Sequence, residues 1–411
     1  MSEQVKQEGA WTARQRLVHR FARQREFAAA TSPLSARLLD ILGGWLARDD
    51  DPLADWLLNA SAGRPSFELP LLLLAGLHRA VLLGRPGTQE LAAYFPSAGG
   101  GSNPEKAEMA AALRTALVAC GDELACFLAT AMVQTNESAR GLCWRVPVLY
   151  PGWEAIHLVE LGAGAGLNLV ADRRPYQLFR EADGVRLLDL PAVEEPGAIA
   201  VEDPAAEKLT PETPEEPFAV ACTGEFVGPE GRHLPQVLSR TGCDLAPLRV
   251  GGPEDEATLA AFIWGDQPER LARLHQGLAA FRAEQARGGV HLHRANLPGD
   301  LPAFLADSCT PPGTEPLVVY NTYLTNYLPE KAGGLEAALA RWAPAQGRPV
   351  LWVQWEIPWQ GPEASALGWL GWTIDLWQEG VRESRLLGWV HPHGVRVQWL
   401  PSLVAWARQW F

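Results

Sequence analysis

Residues 157–169 read HLVELGAGAGLNL, and their reading decides the fold. An apolar run ends in an acid. Three glycines at alternate positions and an asparagine follow. The run IHLVEL (156–161) is the length and composition of a buried strand. Glycines at 162, 164 and 166 allow positive φ and close approach to the backbone. Such a turn is expected to lead into a helix, whose first N–H groups are unpaired and carry partial positive charge. Glu160 then stands at the carboxyl tip of the strand, where open α/β sheets bind ligands. The plainer alternative is a tight strand–helix turn with no ligand.

The spacing separates two cofactor classes. The dinucleotide fingerprint G-x-G-x-x-G/A requires Gly or Ala at 167, and Leu167 stands there. Glu160 to Gly166 instead forms acid-x-G-x-G-x-G. This resembles motif I of the S-adenosylmethionine (SAM)-dependent methyltransferases. The resemblance implies SAM as cofactor, with Glu160 orienting its cationic amino group. It places Gly162, Gly164, Gly166 and Asn168 against the cofactor.

Around the motif, strand-like runs alternate with helical ones. They are 234–248, 289–294, 316–321 and 349–356, separated by helical stretches at 254–286, 300–307 and 329–343. Strand–helix alternation predicts a parallel sheet covered on both faces. WTIDLWQEG, SRLLGWV and GVRVQWL near the end have short links, which predicts an antiparallel meander on the sheet edge. Residues 11–150 read as helical throughout, with Leu17, Phe21 and Phe27 at helical spacing and a break at Gly121. The expected fold class is therefore α/β: a Rossmann-like methyltransferase sheet over 153–411, mostly parallel, preceded by an all-helical region over 1–152. The acidic, Pro-rich stretch 191–217 is expected to be a surface insertion.

Bulk properties exclude several classes. A net charge of −13 disfavours a nucleic-acid polymer as partner. The run LPLLLLAGLHRAVLLG (69–84) is too short to span a bilayer and carries His78 and Arg79, so no membrane role is expected. MSEQVKQEGAW has no apolar core of a secretory signal, and six cysteines without C-x-x-C spacing read as reduced thiols. A cytoplasmic protein is expected.

The likeness extends beyond the glycines. MVQTNESARG (132–141), VELGAGAGLNLVADR (159–173), SRTGCDLAPL (239–248), ALARW (338–342) and HPHGVRVQWL (391–400) resemble the bacterial domain of unknown function 2332 family. That family supplies no reaction to carry over. The methyltransferase pattern implies an acid gripping the ribose after the second strand, either Asp244, which fits better, or Glu181. It implies an adenine contact at Asn296, or at Asp300. It also puts Tyr320, Asn321 and Tyr323 opposite the methyl donor, with Asn321 and Tyr323 catalytic and Tyr320 contacting substrate. The alternative for the tyrosines is core packing.

If QTNESARG is helical, Asn136, Glu137 and Arg140 share one face. Glu137 is then a catalytic candidate, and Asn136 and Arg140 bind substrate or the SAM carboxylate. The alternative is a solvated or interdomain Glu137–Arg140 ion pair. His391 with His393, and His291 with His293, lack a helpful acid or Cys nearby, so no metal is expected. Glu356 reads as an exposed strand-end acid, or alternatively as a general base. The expected function is methyl transfer from SAM to a small-molecule or peptide acceptor. A non-catalytic SAM or adenosine-ligand module, and a dinucleotide oxidoreductase, are the alternatives.

Overall fold

The computed structural model describes residues 11–410, apart from 62, 134–136, 194–216, 230, 330–332 and 359–362. Most of the acidic insertion, and Asn136, therefore lie outside the described residues. The chain divides into two compact units, 1–136 with 250–274, and 137–249 with 275–411. The sequence reading instead divides the chain at 152/153 and assigns 250–274 to the sheet.

The first unit is helical because its apolar residues recur at helical spacing and its caps are built in. Thr12 and Gln15 form a capping box at the head of helix Ala13–Ala29. Ser32 caps helix Pro33–Leu46, with proline in its first turn. Leu17 and Phe21 are fully buried, but Phe27 is 68% exposed and leaves the expected stripe. The run at 69–84 gives helix Leu69–Leu82. It is buried nearly all round, and no described helix is long and apolar enough to cross a membrane. The break expected at Gly121 falls at Cys120, between helices Glu108–Ala119 and Gly121–Thr130.

The second unit is built on an eleven-stranded sheet. Its strands are β1 (Ala155–Leu161), β2 (Tyr176–Arg180), β3 (Arg186–Leu190), β4 (Phe218–Thr223), β5 (Gln236–Asp244), β6 (Val290–Arg294), β7 (Leu317–Thr322), β8 (Val350–Glu356), β9 (Leu370–Gln378), β10 (Val381–Val390) and β11 (Arg396–Trp399). Their spatial order is β3-β2-β4-β11-β10-β9-β8-β7-β1-β5-β6. Strands β6, β5, β1, β7 and β8 are mutually parallel, as the alternation predicts. β1 is buried on both faces, as parallel strands require. Ile156 and Leu158 pack with Trp144 and Val353 on one side, and Val159 and Leu161 with Phe304 and Trp352 on the other.

Two expectations are corrected. The antiparallel meander β9-β10-β11 is not an edge. β11 pairs in parallel with β4, which carries β2 and β3, so the meander lies inside the sheet. The helix expected after the glycines does not form. Turns and a short 3-10 turn, Ala171–Arg173, connect β1 to β2 instead.

Gly162, Gly164 and Gly166 hold φ of 76°, 55° and 74°, which no α-helix accommodates. The backbone carbonyls that a helix would have paired are taken by buried side chains. Arg174 donates to Leu167, Trp144 to Asn168, Arg240 to Leu169 and Arg145 to Ala171. The segment thus satisfies its polar groups without a helix ladder.

Candidate functional site

The parallel strands gather their carboxyl ends on one edge. β10 runs in the direction of β8, two antiparallel steps away, so the 391–395 link comes to the same edge. Arg140 Nε donates to the Pro392 carbonyl there at 2.9 Å, which brings segment 137–141 beside the strand tips. Glu160, Tyr320, Asn168, Arg140 and Cys143 collect at this edge.

Glu160 is 2% exposed. Burial pushes its carboxyl up from 4.5 to about 8, and the neighbouring Asp244 charge adds to the rise. Tyr320, Asn168 and Arg140 stand close enough to oppose it. Even so, Glu160 Oε2, Asn168 Oδ1 and the Tyr320 hydroxyl make no hydrogen bond of good geometry with the protein. Buried polar atoms without well-formed hydrogen bonds cost about 1–3 kcal/mol each, which makes this convergence the candidate binding point of the edge. Two of the three atoms are pure acceptors when Glu160 is ionised. Their shared requirement is a donor-rich, cationic group.

The glycine turn is held from below by β5. The amides of Gly162 and Ala163 both donate to the Cys243 carbonyl. Asp244 Oδ2 accepts from the Gly164 amide and Oδ1 from Ala246, each at 2.9 Å. The acid assigned to the ribose thus already caps the turn. An added Cβ at Gly162 would lie 2.8 Å from Leu324 Cδ1, at a φ that L-residues avoid. Gly162→Ala is expected to cost about 1–2 kcal/mol in urea unfolding. An unchanged midpoint would show that the turn has room to relax.

Asn321 and Tyr323 are placed differently from one another. Asn321 is fully buried. Its Oδ1 accepts from Trp352 Nε1, and its Nδ2 donates to Glu356 Oε1, both at 2.7 Å. Its geometry therefore fits a positioning role. Glu356 is only 7% exposed, not the exposed acid expected from sequence. It also accepts from Leu324 N, Thr325 N and the Thr325 hydroxyl. Tyr323 sits between these partners at φ 58°, a strained setting for a non-glycine residue. The Arg140 guanidinium lies 5.3 Å from its ring centre.

Glu137 and Arg140 are both buried, so they do not form a solvated pair. Glu137 caps the 3-10 segment Ser138–Gly141, which holds Arg140. Glu137 Oε2 is 3.5 Å from His393 Nδ1. Burial pulls the Arg140 guanidinium down, while Glu137 and Glu356 oppose the change. Asn136 falls outside the described residues. Glu181 forms an ion pair with Arg396 at the β2–β3 hairpin. Asn296 is exposed beyond β6, and its amide donates to Asp300. Among the described residues, no three His, Cys, Asp or Glu side chains are grouped to hold a metal ion. Sequence reasoning missed Thr325 and the link between Glu137 and His393. The only signal for the latter was a histidine in a tight turn.

The fold and this edge define an α/β protein with a large mixed sheet and a buried, acid-bearing polar site at the carboxyl ends of its parallel strands. The family described as "Uncharacterized protein conserved in bacteria (DUF2332)" matches residues 18–399, and the chain belongs to that family. No curated protein and no solved structure matches the chain.

Proposed function

We propose that the Glu160 edge binds SAM and that the chain transfers its methyl group to a small-molecule or peptide acceptor. The observation that carries this reading is the convergence of Glu160 Oε2, Asn168 Oδ1 and the Tyr320 hydroxyl, buried against one another without a well-formed hydrogen bond, beside three positive-φ glycines. Those atoms fit the ammonium of an amino-acid group. SAM would supply an electrophilic methyl on its sulfonium.

The chain's own part is positioning and exclusion of water. Glu160 and Asn168 would accept from the ammonium, and Arg140 would pair with a carboxylate of cofactor or substrate. Glu137, held beside His393, is the group placed to take a proton from the acceptor. Tyr323 would line the acceptor side, and Asn321 with Glu356 fixes its backbone. Asn296 remains the adenine candidate.

A second reading is favoured by one observation. Asp244 is occupied by the Gly164 and Ala246 amides, which suits a module that binds an adenosine ligand without turnover. The dinucleotide alternative loses its physical basis, because no helix N-terminus follows the glycines to receive a pyrophosphate.

Thermal unfolding with SAM, its demethylated product and NAD tests the assignment. At ligand near 100 Kd, linkage adds about 2.7 kcal/mol, which raises Tm by several degrees. A shift with SAM or its product but not NAD supports the reading, and no shift at millimolar ligand removes it. Calorimetry in buffers of different ionisation enthalpy gives a second readout. With a carboxyl raised to about 8 in the free protein, cation binding at pH 7 should release close to one proton. Binding without proton release would place the ligand elsewhere.

A further inference from the structure

A second polar cavity lies on the other face of β1 and at the other end of the strand. It has a volume of about 280 Å³ and is bordered by His157, Ser239, Thr241, His291 and Cys309. His157 and Glu160 are three residues apart on one strand, so they point to opposite faces. This cavity is therefore distinct from the Glu160 edge, and its chemistry is independent of whether SAM binds there.

Three adjacent strands bring three side chains into one row. Ser239 on β5 stands opposite His157 on β1, and its Oγ lies 2.8 Å from His157 Nδ1. On the far side, Glu315 lies two residues before β7, and its Oε2 lies 4.0 Å from His157 Nε2. The backbone ties that side down, because the His157 amide donates to the Pro316 carbonyl at 2.9 Å. His157 Nε2 is buried and has no hydrogen-bond partner. Burial and the Arg348 charge lower the imidazole pKa, which keeps the ring neutral and able to accept a proton at pH 7.

The pairing of Ser239 with His157 is not what regular strands would give. The β1–β5 register shifts between Ile156 and His157, so that Ile156 faces Val237 and His157 faces Ser239. Leu238 is skipped, and it stands 44% exposed. Bulges are rare in parallel pairs and frequently re-aim a side chain beside an active site. Here the shift puts a hydroxyl against the imidazole and leaves a leucine in solvent.

We propose that Ser239 is a nucleophile, with His157 as its base and the Glu315 charge, 4.0 Å beyond the ring, stabilising the imidazolium that forms. A hydroxyl bonded to an adjacent base is the core of an activated nucleophile. The cavity volume and its Val159 and Pro311 walls suit a short acyl group, so the substrate class is a short-chain ester. Ser239 Oγ forms a bond to the ester carbonyl carbon as its proton passes to His157 Nδ1. The carbon–alkoxy bond breaks, and the departing alkoxide takes that proton. Water then attacks the acyl-serine, gives a proton to His157, and releases the acid with the serine restored.

The test is labelling of the full chain with a small fluorophosphonate, read by peptide mass. Ser239 Oγ displaces fluoride from phosphorus, leaving a phosphonyl mass on the peptide that contains Ser239. The expected result is an adduct on Ser239, slowed about a hundredfold in His157→Gln and about tenfold in Glu315→Gln. Glu315 is partly exposed, so E315Q decides the matter if H157Q does not fold. Absence of the Ser239 adduct in folded wild-type protein overturns the proposal. So does an adduct that forms at the wild-type rate in E315Q and in folded H157Q.

Discussion

Glu160→Gln makes the unliganded protein more stable at high pH, by up to about 5 kcal/mol at pH 9, and removes its response to SAM. The first half follows from burial. The carboxyl is raised from 4.5 to about 8, with desolvation as the main cause. A displacement of that size corresponds to about 5 kcal/mol between the two protonation states. Solvent relaxation around a buried charge makes this an upper bound. The sign is set by which state holds the proton. Below pH 4.5 the carboxyl is protonated in folded and unfolded chains alike, and it contributes no pH dependence. Between 4.5 and about 8 the folded chain keeps a proton that the unfolded chain has released, so stability falls as pH rises. Above about 8 the folded chain carries the full cost of the buried charge.

Glutamine has no such charge. The gap between variant and wild type should therefore be small at pH 4.5 and widen steadily to pH 9. Urea unfolding at pH 5, 7 and 9 measures it. A gap that does not change with pH, or a variant less stable than wild type at pH 9, sinks the idea. A destabilised acid kept at a binding edge is the usual exchange of stability for function. In the same preparations SAM should raise the Tm of wild type and leave E160Q unmoved. A shift that survives in E160Q would detach the cofactor from this carboxyl even if the stability prediction holds.

Much of the sheet was legible because its signals are local. β1, β5, β6, β7 and β8 fall on the apolar runs expected of them, and the helices between them on periodic stretches. What the sequence hid depends on partners far along the chain. A helix after Gly166 is the natural expectation when only the glycines and the apolar residues beyond them are in view. The carbonyls of that segment are instead claimed by Trp144, Arg145, Arg174 and Arg240, some of them tens of residues away. The meander looks like an edge until β11 is paired with β4, more than 170 residues earlier. Site residues divide in the same way. Glu160 is identifiable from its place before the glycines. The depth of Glu356 is not, because it depends on what β7 and its following turn place around a strand end.

Glu356→Ala should cost on the order of 4 kcal/mol of global stability, the largest loss expected from any single change at this edge. The carboxylate accepts from four donors: Asn321 Nδ2, Leu324 N, Thr325 N and the Thr325 hydroxyl. Alanine removes the carboxylate acceptor from all four in a buried setting, at up to about 1–3 kcal/mol each before water enters the gap. The strained backbone of Tyr323 is held by the same bonds, since Asn321 lies before it and Leu324 after it. Once they are gone, Tyr323 can leave its positive φ, which returns part of the loss and explains why the costs do not simply add. Glu356→Gln retains one acceptor oxygen but turns an amide N–H toward a donor, so it should lose about half as much. The ordering alanine, then glutamine, then wild type is the prediction, read from urea midpoints at pH 7. A loss under about 1 kcal/mol in E356A would mean that water replaces the carboxylate freely, and that the β7 turn holds Tyr323 by other means. If the ordering holds, the two acids of this edge have opposite effects on the fold: Glu356 satisfies its surroundings and stabilises them, while the buried Glu160 charge weakens them as pH rises.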